Sequence, residues 1–498
     1  MKITFISPYS DITAFGIRTM CAYLKQNGHK TQMIFLPDPF GDNLKNGVKR
    51  YDDFILEELL SLCAKSDLIG LTLMTNYFDN AVQITAKLKK ALDIPVIWGG
   101  VHPTIRPEES LEYADMICIG DGEEALLELV EKIDNKDDYT DIHNFWIKKN
   151  GKTYFNSVRK LNKNLDQYPI PDYSNVDHFV LYEGHLKPLT SDLLEIFLKR
   201  GTVSSYLKKI GYQTMTGRGC PHRCTYCIND TIKNLYEGQG YLRWRSVDQV
   251  IKELLWVKEN MPYISYIWIS DDAFFARSLK NLEHFCKEYK EKIGLPFSCL
   301  GSPLTITDEK MNLLVNAGLI YIQLGLESGS RRIQELFNRK NMSNDVMMKA
   351  IRTINKYKDK MFPPSYDFIL DVPYETDEDK LASLKLITKI PKPFRLQPFS
   401  LVLYPGTKLY QMAKEDGYLK DDRQEIYSKS YTMREPGYLN LLMTLSKGGR
   451  FPSVLLKFLV SKPVVGILNN KAMKPFFKYL YIGLQAIFHQ IKKLIKKE

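Results

Sequence analysis

The sequence predicts an α/β protein built from a doubly wound parallel sheet followed by a second α/β domain and a basic helical tail. Three observations carry this. Short apolar runs of β character alternate with helical periodicities from the N-terminus onward, the pattern of a parallel sheet. Glycines or short polar runs follow the strands, where open sheets and β/α barrels bind their ligands. The last 58 residues, Leu441 to Glu498, hold 11 Lys+Arg and one acid, so a chain of net charge +11 is close to neutral elsewhere.

The elements follow in order. Lys2–Ser7 is a strand closed by Pro8. Ile17–Gln26 is a helix, with Ile17, Met20, Cys21 and Leu24 at i, i+3, i+4 and i+7, and Asn27-Gly28 ends it. Strands follow at 31–36, 67–74, 95–98 and 116–119, with helices at 80–92 and 123–133. Gly99-Gly100 and Gly120-Asp121-Gly122 stand just after two of these strands, where a missing side chain lets backbone approach a ligand. No GxGxxG follows the first strand, which disfavours a dinucleotide. This first domain spans roughly 1–140. A connector, 141–208, holds a hairpin signal around Lys149-Asn150-Gly151, a proline-punctuated stretch at 165–172, and a basic amphipathic segment at 187–208.

The second domain, 209–425, opens with a strand at 212–215 that runs into Gly219-Cys220-Pro221-His222-Arg223-Cys224-Thr225-Tyr226-Cys227. Three thiols at CxxxCxxC spacing on one short loop suit a soft metal centre. Structural zinc wants a fourth ligand, and there is no second CxxC pair. Three cysteines without a fourth point to a 4Fe–4S cluster with one open iron. A helix at 247–259, N-capped by Ser246, precedes a strand at 265–269 that ends in Ser270-Asp271-Asp272. Further strands are expected at 320–324, 366–370 and 396–404, with a helix at 308–317 stopped by Gly318. The five other cysteines are scattered, which is no disulfide framework and favours a reducing cytosol. The N-terminal apolar run is too short for a signal peptide and no stretch of 18 apolar residues occurs, so no membrane span is expected. A near-neutral body argues against nucleic-acid binding.

The cysteine loop, with aromatic Tyr226 before Cys227, resembles the signature of the radical S-adenosylmethionine (SAM) enzymes. Ser270-Asp271-Asp272, Gly325-Leu326-Glu327-Ser328-Gly329, Asp371-Val372-Pro373-Tyr374-Glu375-Thr376 (with Asp371 where glycine is usual) and Pro405-Gly406-Thr407 follow in the family's order over about 200 residues. The resemblance implies a partial (β/α)6 barrel. Cys220, Cys224 and Cys227 would ligate the cluster, Tyr226 would lie near adenine, and Ser270, Asp271, Asp272, Gly325 and Glu327 would contact SAM. Gly99-Gly100-Val101-His102-Pro103-Thr104, Pro107-Glu108-Glu109 and Gly120-Asp121-Gly122-Glu123 are similar to the cobalamin-binding domain that precedes many such barrels. No DxHxxG is present, so His102 is expected to pack against the sheet rather than bind cobalt. Thr72, Thr75, Gly99, Gly100 and Gly120 are the expected cobalamin contacts.

Together the resemblances imply a cobalamin-dependent radical SAM enzyme using a 4Fe–4S cluster and SAM. The expected reaction is methylation of an unactivated carbon of a small molecule or lipid. A cobalamin-dependent cyclisation, rearrangement or oxidation, or a non-catalytic cobalamin sensor, remain alternatives. A ferredoxin or flavodoxin is the expected electron donor, and the expected location is the cytoplasm. In the tail (426–498), Phe477, Leu480, Tyr481, Leu484, Phe488, Ile491 and Ile495 recur at helical spacing opposite lysines. That pattern fits equally a helix lying on a membrane's inner face, with contact through 441–498, or one packed on the barrel.

Overall fold

The computed structural model describes residues 1–37, 50–427, 436–480 and 483. It divides into two compact units. The first is Met1–Asp272 with Lys287–Phe297 and Leu403–Ser430, and the second is Ala273–Cys286, Ser298–Val402 and Tyr431–Glu498.

In the first unit, β1 (Lys2–Ser7), β2 (Lys30–Phe35), β3 (Leu68–Thr72), β4 (Val96–Gly99) and β5 (Met116–Cys118) pair in parallel, in the order β5-β4-β3-β1-β2. Helices α1 (Phe15–Gln26), α2 (Asp53–Cys63), α3 (Phe78–Ala91), α4 (Val101–Ile105), α5 (Pro107–Tyr113) and α6 (Glu123–Asp134) connect them. The strands are apolar on both faces because helices cover both: five of the six residues of β1 are buried. The strand order reverses between β1 and β3, so the chain opens a crevice at their carboxyl ends.

The sheet does not stop at residue 140. β6 (Phe145–Lys149) and β7 (Lys152–Phe155) add antiparallel at one edge. β8 (His178–Tyr182) adds parallel to β2 at the other, and β9 (His185–Pro188) pairs antiparallel with β8. Glu183 and Gly184, at φ 52° and 83°, make the two-residue turn between β8 and β9. The connector is fastened to α1 by a buried network. Asp172 Oδ2 accepts from Lys25 Nζ (2.7 Å), Cys21 Sγ (3.3 Å) and His178 Nε2 (3.1 Å), while His178 Nδ1 accepts from Met33 N–H (3.1 Å). With Nδ1 accepting a hydrogen bond, Nε2 must carry the proton, so Cys21, Lys25, Asp172 and His178 form a hydrogen-bonded lock rather than a metal site. The basic segment before the barrel folds as α7 (Ser191–Arg200) and α8 (Thr202–Leu207).

The barrel domain supplies six strands. In the first unit β10 (Gly211–Thr214) and β13 (Tyr266–Ile269) pair in parallel, and the short β11 (Gly217–Arg218) and β12 (Arg243–Trp244) form an antiparallel ribbon beside the cysteine loop. The helices α9 (Ile228–Leu235) and α10 (Val247–Asn260) lie between β11 and β13 in sequence, and Ser246 Oγ caps α10 by accepting from Gln249 N–H. In the second unit β14 (Phe297–Gly301, after its first residue), β15 (Leu319–Glu327), β16 (Ser365–Leu370) and β17 (Arg395–Ser400) follow in that order, with β15–β16 and β16–β17 parallel. Their helices include α11 (Leu279–Glu288), α12 (Asp308–Ala317), α13 (Arg331–Leu336), α14 (Asn344–Asn355) and α15 (Asp377–Ile387), and Gly318 ends α12 at φ 114°. Helix α16 (Lys408–Glu415) belongs to the first unit; α17 (Tyr438–Ser446), α18 (Ser453–Leu459) and α19 (Lys462–Leu468) belong to the second. Among the described residues no helix is long and apolar enough to cross a membrane. The apolar stripe expected over 477–495 lies, beyond 480, outside the described residues.

Candidate functional site

The strand β10 delivers the chain into the cysteine loop, and α9 begins directly after Cys227. Gly219 sits at φ 92°, and a side chain there would come within 2.8 Å of the Tyr241 carbonyl oxygen, so the loop can turn only with glycine. Cys224 is buried and Cys220 and Cys227 are half-buried. Burial pushes the Cys220 thiol up to about 11 and the Cys227 thiol up to about 12, and the neighbouring sulfurs add to both shifts. Backbone N–H groups of His222 and Asn229 oppose this by hydrogen bonding to the two sulfurs. The loop therefore gathers three soft donors that repel one another as thiolates, with N–H groups already aimed at two of them. A cationic metal centre relieves that repulsion, so these residues fit a cluster. Tyr226 is half-buried within the same loop.

The three residues after β13 have different tasks. Asp271 is buried, and its two oxygens accept from Thr216 N–H (2.5 Å) and from the Thr216 hydroxyl. Ser270 Oγ donates to the Thr214 carbonyl (3.1 Å). Ser270 fastens the end of β13 to the end of β10, and Asp271 fastens it to the segment after β10. Asp272 is the one whose charge is felt by Cys220 and Cys227. Asp272 is exposed at the surface, yet the protein crowded around its carboxyl pushes it above the usual range, against an opposing hydrogen bond with Asn229. Asn229 also donates to Cys227 Sγ (3.8 Å) and accepts from the Tyr241 hydroxyl (3.3 Å). Asn229 has no place in the sequence reading; its only signal was its position two residues after the last cysteine.

A cavity with about 290 Å³ of interior space opens at the carboxyl ends of β1, β3, β4 and β5. Thr72, Gly99, Gly100 and Gly120 line it, with Phe15 and Gly16 from the start of α1. Its other wall is Thr214, Met215, Gly217 and Arg218, the segment that runs into Cys220. The strand residues beneath are apolar. A Cβ added at Gly16 would meet nothing within 4 Å and one at Gly99 only the Cys118 Cβ at 3.8 Å, so these glycines leave room for a bulky group rather than for each other. The cavity fits a corrin ring's largely apolar faces. Thr75 is turned away from it: the residue is buried and its hydroxyl bonds His102 Nδ1 (3.1 Å). His102 itself is buried among Phe78 and Tyr427, and burial, with Arg106 adding, drives its pKa down to about 3. It stays neutral and away from the cavity wall.

Gly120 shows why the cavity rim is glycine. Its φ is 78°, and a Cβ would lie 1.9 Å from the Tyr236 hydroxyl oxygen. That hydroxyl accepts from Asp121 N–H (3.0 Å). Burial raises the Asp121 carboxyl, but Arg218 (3.2 Å) and Arg243 (2.9 Å) pull it further down, so it remains a carboxylate. Arg218 reaches Glu123 as well (2.5 Å). The Gly120–Glu123 turn is thereby tied to β11, β12 and the end of α9. None of Tyr236, Arg218 and Arg243 was singled out by the sequence, because their partners lie about 100 residues away.

In the second unit, Glu327 ends β15 at φ 67°, a conformation that costs energy for a long side chain such as glutamate and clusters at functional positions. A Cβ on Gly325 would fall 2.3 Å from Glu327 Oε1, so Gly325 makes room for that carboxylate. Arg339 donates to the Gly325 carbonyl (2.6 Å) and stands 3.9 Å from Glu327 Oε1. Asp371, where glycine is usual, has φ 59°, and its carboxylate accepts from Ser400 Oγ (2.8 Å) and Asn440 Nδ2 (2.7 Å). Short polar residues tolerate that conformation. Glu375, in the same turn, has an unpartnered buried Oε2, and burial pushes its carboxyl up to about 8.

A doubly wound domain whose crevice is walled by the segment leading into a three-thiol loop suits a corrinoid held beside a metal cluster. Comparison with known families agrees: residues 1–130 match the B12 binding domain and residues 214–387 match the Radical SAM superfamily. The chain thus carries a Radical SAM domain behind an N-terminal B12 binding domain, and these two domains imply 4Fe–4S, SAM and cobalamin as its cofactors. It is 26% identical over 374 residues to an uncharacterized methyltransferase of Pyrococcus horikoshii, covering 73% of each chain. It is 22% identical over 420 residues to the bacteriochlorophyllide d C-8(2)-methyltransferase of Chlorobaculum tepidum, covering 81% of this chain and 78% of that one. Among solved structures it resembles the cobalamin-dependent SAM radical enzyme OxsB with aqua-cobalamin and SAM bound. The TM-score is 0.67 at 15% identity, over 97% of this chain and 75% of that one, a likeness of fold.

Proposed function

We propose that this chain methylates an unactivated carbon of a small molecule or lipid. The observation that carries this is the shared segment: Thr214, Met215, Gly217 and Arg218 line the cavity proposed for the corrinoid, and their segment leads into Cys220 within one compact unit. When bound, the cluster with SAM would supply the one-electron chemistry that removes a hydrogen atom from the substrate carbon, and cobalamin would supply the methyl group. Cys220, Cys224 and Cys227 would hold the cluster, and Asp272 is aimed at the same loop, where it would take the ammonium of SAM. Gly325 and Glu327, on β15, remain the expected contacts for the rest of SAM. Ser270 and Asp271 support the site by fixing β13. Thr72, Gly99, Gly100 and Gly120 would lie against cobalamin, which leaves Thr75 as a partner of His102. The names of both relatives support methyl transfer, and the complete thiol triad speaks against a sensor without catalysis.

This reading includes a ferredoxin or flavodoxin as electron donor, a cytoplasmic location that keeps the cluster and thiols reduced, and peripheral membrane contact through residues 441–498. Its test is anaerobic reconstitution with iron, sulfide and cobalamin, followed by methyl-labelled SAM. Label carried by the protein-bound corrinoid supports a methylase. 5′-Deoxyadenosine without such label moves the assignment to rearrangement, cyclisation or oxidation.

A further inference from the structure

The tail beyond α17 turns its polarity inside out. Helix α17 spends its apolar residues in the core: Leu439, Leu441, Leu442 and Met443 are buried, and Asn440 is bonded to Asp371. The following 34 residues do the opposite. Seven of the sixteen large apolar side chains exposed among the described residues lie between Val454 and Leu480. In α18, Val454 is 80% and Phe458 62% exposed; in α19, Ile467 is 67% exposed; and in the helical turn over 474–480, Tyr479 is 73% exposed. These residues are not loose. Tyr438 donates to the Leu459 carbonyl (2.9 Å), Asn469 Nδ2 donates to Asp377 Oδ2 (2.8 Å), and Phe477 is buried with its ring 5.0 Å from that of Tyr438. Phe477 anchors its turn while Phe476 and Tyr479, its neighbours, face outward.

The charge of this surface is one-sided. From Tyr438 to Leu480 the sequence has seven Lys+Arg and no acid. Lys457, Lys462, Lys471, Lys474 and Lys478 are exposed among the apolar side chains. Two copies meeting through this face would set lysine against lysine without counter-charge. An anionic bilayer supplies both an apolar phase for the rings and negative headgroups for the lysines. α18 and α19 are seven residues each, far short of a span, and suit insertion at the interface only.

We propose that α18, α19 and the turn over 474–480 form a docking surface for an anionic lipid bilayer. This deepens the reading above: it names the membrane contact's surface and the lipid charge, and it would bring the barrel to a substrate dissolved in lipid.

The test uses the full-length chain, reconstituted anaerobically, in flotation with vesicles of equal phosphatidylglycerol and phosphatidylcholine, and with phosphatidylcholine alone. Flotation with the anionic vesicles, reversed by high salt, is expected. Lys457→Glu with Lys462→Glu should weaken it by roughly 25-fold or more, since each lysine at such a surface contributes about fivefold. Phe458→Ser with Ile467→Ser should weaken it by at least tenfold, while the thermal unfolding temperature stays unchanged because these side chains are exposed. Absence of flotation with anionic vesicles, equal flotation with both lipids, or flotation unaffected by either double variant overturns the proposal, as does a dimer in free solution that the apolar variant dissolves. SAM cleavage driven by dithionite is measured alongside. Vesicle binding lost with cleavage intact rejects the docking surface alone, and cleavage lost with binding intact rejects the enzymatic reading alone.

Discussion

Replacing Gly120 by alanine puts a methyl group where the Tyr236 hydroxyl already is. The Cβ would sit 1.9 Å from the oxygen and 2.9 Å from Cζ, at a backbone φ of 78°. A left-handed alanine costs about 1–2 kcal/mol by itself. Moving Tyr236 out of the way breaks its hydrogen bond with Asp121 N–H, worth about 1 kcal/mol, and disturbs a buried ring stacked on Tyr241. Gly120→Ala should therefore destabilise the chain by roughly 2–4 kcal/mol, read as a lower urea midpoint, and should weaken cobalamin binding in an absorbance titration. Tyr236→Phe alone should cost about 1 kcal/mol. The double variant is decisive. Without the hydroxyl the worst contact vanishes, so the two costs should fall short of their sum by about 1 kcal/mol or more. Costs that add within about 0.3 kcal/mol, or a neutral Gly120→Ala, would refute the packing argument for this rim.

Other outcomes follow from the same geometry. Asp271→Asn should destabilise by about 2–4 kcal/mol, because one of two buried acceptors for Thr216 becomes a donor, whereas Asp272→Asn should melt normally and raise the KM for SAM. Calorimetry and SAM titration of the pair separate the two roles. Alanine at Cys220, Cys224 or Cys227 should abolish iron retention and SAM cleavage while leaving cobalamin affinity within about twofold, since none of the three lines the cavity. His102 binds a proton near pH 3 when folded and near 6.5 when unfolded, so its contribution is complete above 6.5 and is lost as pH falls toward 3. It should cost about 2 kcal/mol at pH 5 relative to pH 8; Arg106 and Glu109, its charged neighbours, modulate that slope, and His102→Gln should flatten it in urea unfolding across those pH values.

What the sequence made legible depended on distance along the chain. The strands of the first sheet were legible because burial on both faces writes continuous apolar runs. The thiol loop was legible because three cysteines fall within eight residues. Glu327 and the glycines at strand ends were legible through local motifs. The β8–β9 hairpin escaped although Glu183-Gly184 is a two-residue turn signal, because the surrounding proline-punctuated stretch reads as a linker. The division of labour within Ser270-Asp271-Asp272 was not legible at all: alternate residues leaving a strand point to different neighbours, and only Thr216 and Asn229 in place show which aspartate faces the thiols. Thr75 failed as a cavity residue for a similar reason, since the chain turns after β3 and aims its hydroxyl at His102. Tyr236, Arg218 and Arg243 act on a turn about 100 residues away, a relation no single-sequence spacing encodes.

The most direct test of the central claim is a single turnover without any added methyl acceptor. The chain is reconstituted anaerobically with iron and sulfide to a full cluster, loaded with cobalamin, reduced with dithionite and given SAM, and 5′-deoxyadenosine is quantified. The account predicts 5′-deoxyadenosine from the native chain and none from a variant with alanine at Cys220, Cys224 and Cys227. A full cluster, bound cobalamin and no 5′-deoxyadenosine from the native chain would contradict it.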